Sequence, residues 1–257
     1  MLTGFEGRVI GVCGLKDTGK TAVVEGLVKF LKERGATVGT VKHAHSEIAL
    51  DSEGKDSMRH LGAGADCVVT IGEALVQVMV RPDGAGVADS GGKVGGGRVG
   101  EGDLSARDLE AVVARYLACC DYAVVEGFKG LDIPKVVVLG ADSAMPGGLK
   151  NIVALAYRGD TCQCRSGDLP GQFQGLPLFA IDEIEKIGGM LFDRDILQPP
   201  GARAHLLVNG RPIPMNEFVR SALAGVLEGF VGSLRDVEAP AKIEISVKHP
   251  SVKHPKA

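Results

Sequence analysis

RVIGVCGLKDTGKTAVVEGLVKFLKERG, residues 8–35, decides the fold. Its opening, RVIGVCG, is a short apolar run stopped by glycine, the pattern of a buried strand. Its close, KTAVVEGLVKFLKERG, sets Val23, Val24, Leu27, Val28 and Leu31 on one face at helical spacing, with Gly35 placed as a C-terminal stop. Between them GLKDTGKT, residues 14–21, satisfies G-x-x-x-x-G-K-[ST]. A strand-to-helix turn is where that pattern cradles phosphate. Gly14 and Gly19 let the backbone wrap around phosphate oxygens with its N–H groups turned inward. The following helix offers its N-terminal N–H groups and dipole to the same anion. Lys20 reaches the β- and γ-phosphates, and the Thr21 hydroxyl is placed to ligate Mg²⁺. Asp17, Thr18 and Ala22 complete the expected binding segment; Lys16 either adds a charge near the phosphates or is simply solvated.

Outward from this stretch the same grammar continues. TVGTVKH reads as the next strand, and strand, loop, helix, strand is a βαβ unit that implies a parallel sheet. DCVVTIG and ALVQVMV read as two strands close enough to form an antiparallel pair. SARDLEAVVARYLACC reads as a helix capped by Ser105, with Asp108 at the capping-box position. DYAVVEG, PKVVVLG, NIVALAY and LPLFAID are further β-rich runs. The expected fold is α/β: a three-layer P-loop NTPase with a mostly parallel sheet over residues 1–195. Residues 82–102, PDGAGVADSGGKVGGGRVGEG, are too glycine-dense for a packed element and read as a mobile surface loop.

Beyond that domain, residues 196–247 read as a small α+β (ββαβ) extension. QPPGA is a linker, Asn209-Gly210 is a strong hairpin signal, and AKIEISV is a returning strand. NEFVRSALAGVLEGFVGSLRDV is an amphipathic helix with Phe218, Val219, Ala222, Leu223, Val226, Leu227, Phe230 and Val231 on one broad face. Residues 248–257 close a repeat of SVKHP and read as a disordered tail containing His249 and His254.

A carboxylate for Mg²⁺ belongs at the end of a neighbouring strand, and DYAVVEG supplies Glu126 there, before a turn at Gly127. Asp121 starts the same strand and is expected at its opposite end as a surface or cap residue. A second polar cluster, TVKHAHSEIALDSEGKDSMRHLGAGAD, begins at the C-terminal end of a predicted strand, the edge where parallel sheets bind ligands. It holds Lys42, His43, His45, Asp51, Lys55, Asp56, Ser57, Arg59 and His60. Asp56, Ser57, Arg59 and His60 share one predicted helical turn suited to anion or Mg²⁺-water contacts.

Composition bounds the rest. Hydrophobic residues are 45% of the 257, aromatics 4%, and Trp is absent, so the core is expected from Val, Leu, Ile and Ala. A formal charge of −3 argues against nucleic-acid binding through bulk positive charge. No apolar run reaches membrane-spanning length, and MLTGFEGRVIGV lacks secretory-signal features, so a cytoplasmic location is expected. The six cysteines form no C-x-x-C pair. Cys13, Cys67, Cys119 and Cys120 read as small buried hydrophobes, and Cys162 and Cys164 lie in a polar loop.

GLKDTGKT, TVKHAHSEIALDSEGKDSMRHLGAGAD and DYAVVEGFKGLDIPKVVV together resemble molybdopterin-guanine dinucleotide biosynthesis protein B, the MobB family, in order across residues 8–190. The resemblance implies a homodimeric GTP-binding protein with weak GTPase activity. It would act with a MobA-type molybdopterin guanylyltransferase when GMP is attached to molybdopterin, and so would meet molybdopterin or its guanine dinucleotide. On that likeness Gly14, Gly19, Lys20 and Thr21 hold the phosphates and Mg²⁺, and Glu126 stands at the metal. Lys20, Glu126 and Asp56 would serve the reaction, and Asp51, Asp56, Ser57, Arg59 and His60 would line the nucleotide or partner face. The glycine-rich 82–102 stretch is longer than the family pattern, and the C-terminal extension resembles one in archaeal relatives, where a partner or dimer surface is expected. No NKxD motif reads guanine; Asp142 and Asp160 follow strand ends that could meet a base. Three other readings use the same residues: a small-molecule kinase, a metal-delivery GTPase built on His43, His45 and the C-x-C, and a nucleotide-stabilised scaffold.

Overall fold

The computed structural model describes residues 7–43, 56–72, 76–81, 120–159, 173–199 and 217–235, with isolated positions elsewhere. In chain order the first elements are β1 (Val9–Gly14), α1 (Lys20–Glu33), β2 (Val38–His43), α2 (Asp56–Gly62), β3 (Cys67–Ile71) and β4 (Val76–Val80). There follow β5 (Tyr122–Glu126), β6 (Lys135–Val138), β7 (Ile152–Tyr157), β8 (Leu178–Ala180) and α3 (Ile184–Asp193). The strands form one eight-stranded sheet in the order β4-β3-β2-β5-β1-β6-β7-β8. Every pairing is parallel except β3 with β4, the antiparallel edge pair expected from DCVVTIG and ALVQVMV.

Alternation along the strands sends side chains to opposite faces of the sheet, where the described residues form three buried clusters. Ile10 and Val12 of β1, Val38 of β2 and Val124 of β5 join Val23, Val24, Leu27, Val28 and Leu31 of α1 and Ile187 and Leu191 of α3. Val9, Val41, Ala123 and Val125 join Leu109, Val113 and Leu117 on the other face. Leu109, Val113 and Leu117 recur every fourth residue, and Leu117 N–H donates to Val113 O at 2.9 Å. These are positions of the expected SARDLEAVVARYLACC helix; its Ser105 cap and Asp108 lie outside the described residues. The apolar face read for α1 is wholly buried, and Gly35 ends the helix with φ +78° and an N–H bond to Lys32 O at 2.9 Å. Helix α3 has no counterpart in the sequence reading. It packs tightly on α1, because a Cβ on Gly188 would meet the Phe30 ring at 2.3 Å.

The chain divides into two compact units, Met1–Pro200 with His205–Asn216, and Gly201–Ala204 with Glu217–Ala257. The first includes a hairpin of β9 (Leu207–Val208) and β10 (Arg211–Pro212), paired antiparallel with Val208 opposite Arg211. That register suits the Asn209-Gly210 turn, whose two residues lie outside the described set. The second unit contains α4 (Glu217–Gly232). Of its expected apolar face Phe218, Val219, Val226 and Phe230 are exposed, whereas Arg220 and Ala224, which were not part of that face, are buried. Of AKIEISV only Ile243 and Ile245 are described, and neither is in a strand. Residues 82–102 and the 248–257 tail lie outside the described residues. No helix among the described residues is long and apolar enough to cross a membrane.

Candidate functional site

Strand order brings the site together. β1 lies at the centre between β5 and β6, so the loop that leaves its C-terminal end emerges where successive connections diverge to opposite sides of the sheet. Crevices at such switch points, outside the carboxyl ends of parallel strands, are where open α/β sheets bind ligands. In register, Val12 of β1 stands beside Glu126 of β5, and Glu126 stands beside Lys42 of β2. Three sequence-distant ends therefore meet at one edge.

The loop itself is tightly constrained. A Cβ on Gly14 would lie 2.6 Å from Val138 O and 2.7 Å from Thr18 Oγ1, so only glycine passes there. Gly19 caps α1 with φ 99° and ψ 15°, a left-handed conformation that glycine adopts without a Cβ penalty. Thr18 Oγ1 donates to Leu15 O at 3.1 Å and braces the turn, while Lys16 and Asp17 are exposed. The first helical bond runs from Val23 N–H to Gly19 O at 3.2 Å. The N–H groups of Lys20, Thr21 and Ala22 thus precede the intrahelical ladder. No acidic residue stands in that first turn to compete with an incoming anion. Lys20 Nζ folds back onto Leu15 O at 2.5 Å.

Glu126 is the centre of the polar network. Only 5% exposed, its carboxylate turns Oε2 to the Thr21 hydroxyl at 3.5 Å and to His60 Nε2 at 3.2 Å. Its other oxygen, Oε1, lies 3.7 Å from Lys42 Nζ. The His60 approach is a close polar contact rather than an aligned hydrogen bond. Burial works to raise the Glu126 carboxyl, but His60, Lys42 and Lys20 outweigh it and hold the carboxyl below its ordinary range. Burial, with Lys20 nearby, lowers the Lys42 ammonium against the opposing pull of Glu126. A carboxylate this enclosed is costly to leave charged without such partners.

The second polar cluster divides. His60 is fully buried, with Nδ1 3.2 Å from Thr40 Oγ1, so it supports Glu126 from beneath α2 instead of presenting its ring to solvent. Arg59 forks onto Glu25 of α1, with Nε to Oε1 at 2.6 Å and Nη2 to Oε2 at 3.2 Å. Ser57 is half-buried on α2, and Asp56 opens that helix. His43 packs its ring on Phe128 at 5.1 Å between centroids, which joins the ends of β2 and β5. Asp51 and His45 lie outside the described residues, as do Asp160, Cys119, Cys162, Cys164, His249 and His254; of Asp142 only the backbone is described. No group of three or more His, Cys, Asp or Glu among the described residues could hold a metal ion.

Asp121 lies at the opposite end of β5, as expected. Its Oδ2 accepts from Thr37 N–H at 2.8 Å and from Thr37 Oγ1 at 2.9 Å, and its own N–H donates to Thr37 Oγ1 at 2.9 Å. Two polar residues escaped the sequence reading. Asp66 accepts from Lys32 Nζ at 2.8 Å and from Val38 N–H at 2.7 Å, pinning the end of α1 to β2. Lys135, fully buried, donates to the carbonyls of Leu131, Ile133 and Lys150 and so fastens the loop after Glu126. The PK of PKVVVLG is the only local sign of it.

The family model for "Molybdopterin guanine dinucleotide synthesis protein B", MobB, matches residues 9–90. Over that segment the chain is similar to the MobB family. It is 27% identical over 179 residues to the "Probable molybdopterin-guanine dinucleotide biosynthesis adapter protein" of Bacillus subtilis, an alignment covering 68% of this chain and 86% of that relative. To the "Molybdopterin-guanine dinucleotide biosynthesis adapter protein" of Haemophilus influenzae it is 27% identical, over 54% of this chain and 66% of the other. The crystal structure of Bacillus subtilis MobB aligns with 72% of this chain and 98% of its own at 26% identity, with a TM-score of 0.42.

Proposed function

We propose that this chain binds GTP with Mg²⁺ at the GLKDTGKT loop and serves as a MobB-type adapter in molybdopterin-guanine dinucleotide assembly, beside a MobA-type guanylyltransferase. The observation that carries the nucleotide half is the meeting of a glycine-constrained loop, an acid-free helix N-terminus and a partnered carboxylate at one sheet edge. The adapter half rests on the names of the relatives.

The donor set fits the metal. Thr21 Oγ1 and Glu126 Oε2 are oxygen donors 3.5 Å apart, and Mg²⁺ selects oxygen ligands while keeping several of its waters. When bound, Mg²⁺ supplies positive charge to the phosphate oxygens. The chain's own residues do the rest. N–H groups of Gly19 to Ala22 orient the phosphates, Lys20 leaves Leu15 O for the β- and γ-oxygens, and His60 with Thr40 holds the carboxylate of Glu126 toward Thr21. Glu126 is the carboxylate that the Thr21 hydroxyl meets, and it is engaged by Lys42 and His60. A carboxylate so engaged is a weak base, so hydrolysis is expected to be slow, in keeping with a protein whose output is assistance to a partner. The assembly is proposed to be a cytoplasmic homodimer.

The test is guanylation of molybdopterin by a guanylyltransferase with and without this protein. Wild type is expected to raise the yield and Lys20→Ala to remove the gain. An equal gain from Lys20→Ala would separate the adapter role from the nucleotide site.

A further inference from the structure

The sequence reading places two lysines in the loop, Lys20 for the phosphates and Lys16 either near them or solvated. We infer that Lys42, at the C-terminal end of β2, is a second phosphate lysine, held on Glu126 until a nucleoside triphosphate draws it onto the terminal phosphate. The inference rests on the phosphate-site reading above and goes beyond it by naming a residue that tells triphosphate from diphosphate.

Position is the first support. Lys42 pairs in register with Glu126, whose neighbour across β1 is Val12, two residues before the loop begins. A single carboxylate faces Thr21 with one oxygen and Lys42 with the other, so the ammonium stands beside the same crevice as the Thr21 hydroxyl. Reach is the second. The Lys42 side chain is 18% exposed, so part of it meets solvent at the C-terminal end of β2, and long basic side chains commonly bury their stems while their charged heads reach water.

Charge balance then favours an exchange. A triphosphate brings more negative charge than one Mg²⁺ and Lys20 neutralise. Glu126, in turn, gains a cation at Thr21 and no longer depends on Lys42. An ammonium transferred from a carboxylate to a phosphate oxygen trades one charge-assisted contact for another in a site poor in water. A diphosphate lacks the third group and leaves Lys42 on Glu126.

The experiment is equilibrium titration of the full chain with Mg·GTP and Mg·GDP, and in parallel with Mg·ATP and Mg·ADP. Lys42→Met is expected to weaken triphosphate binding about tenfold or more and diphosphate binding less than about threefold, the scale of one charge-assisted bond. Lys42→Gln, which leaves a polar partner beside Glu126, should lose the same discrimination, and Lys42→Arg should retain it. The double variant Lys42→Met with Glu126→Gln separates the phosphate role from a purely local one, since removing both charges cures an unpaired carboxylate but supplies no phosphate ligand. An unchanged triphosphate-to-diphosphate ratio in Lys42→Met and Lys42→Gln, or its full return in the double variant, would overturn the assignment while leaving the cradle standing. Failure of wild type to bind any of the four nucleotides would overturn the cradle itself.

Discussion

Cys13 closes β1 immediately before the phosphate loop and shows how the site's enclosure acts on a single group. Its thiol is 1% exposed and donates to Gly127 O at 2.8 Å. Burial raises it from 9.0 to about 11, against the lowering influence of Lys135 and Lys20. A folded-state value above the unfolded one means that the thiol's contribution is whole below pH 9.0 and is lost as pH climbs through about 11. Over that window wild type should lose about 2 kcal/mol more unfolding free energy than Cys13→Ala. Denaturant melts of both across the alkaline range measure it, and parallel pH slopes would contradict it. The buried thiol reading of the sequence holds here. At the same scale, Gly14, Lys20, Thr21 and Glu126 were legible because each is set by local spacing or by its place at a strand end. The partners of Glu126 were not. Lys42 and His60 meet it, with Thr40 against the other ring nitrogen of His60, only because β2 lies beside β5 and α2 covers them, a register that no window of sequence contains.

Elements were legible in proportion to how much pattern each one carries. α1 has five apolar residues at helical spacing between a phosphate loop and Gly35, and its buried face is the one read. The β3–β4 pair was visible as two runs too close in sequence for a crossover. α3 was missed because IEKIGGMLFD is short and carries two glycines, which count against a helix by propensity. Packing overrides that propensity. Gly188 lies under the ring of Phe30, which is held by Arg34 at 3.5 Å over its face and by Phe192 at 6.2 Å. The next residue, Gly189, has open space around it. Gly188→Ala should therefore destabilise by about 1–3 kcal/mol through overpacking, while Gly189→Ala should stabilise by up to about 1 kcal/mol through helix propensity. Thermal melts of the two variants decide it; equal shifts in both would remove the close-approach explanation of α3.

For the whole molecule, the three-layer α/β architecture followed from a βαβ start and a series of β-rich runs, and the sheet has the parallel order that reading requires. What lay beyond reach was the strand permutation. β5, far along the chain, inserts between β1 and β2 and delivers Glu126 to the loop. That insertion brings a buried carboxylate, Lys42 and a buried histidine beside the GLKDTGKT loop. Guanine nucleotide is the ligand proposed for this site, although the described residues contain no base-reading motif of their own. The direct measurement is calorimetric titration of wild type with Mg·GTP and with Mg·ATP, with Lys20→Ala beside them. A single site with at least about tenfold preference for GTP, lost in Lys20→Ala, is the predicted result. Equal or tighter binding of ATP would contradict the guanine assignment and favour a kinase, and unchanged affinity in Lys20→Ala would contradict the phosphate cradle.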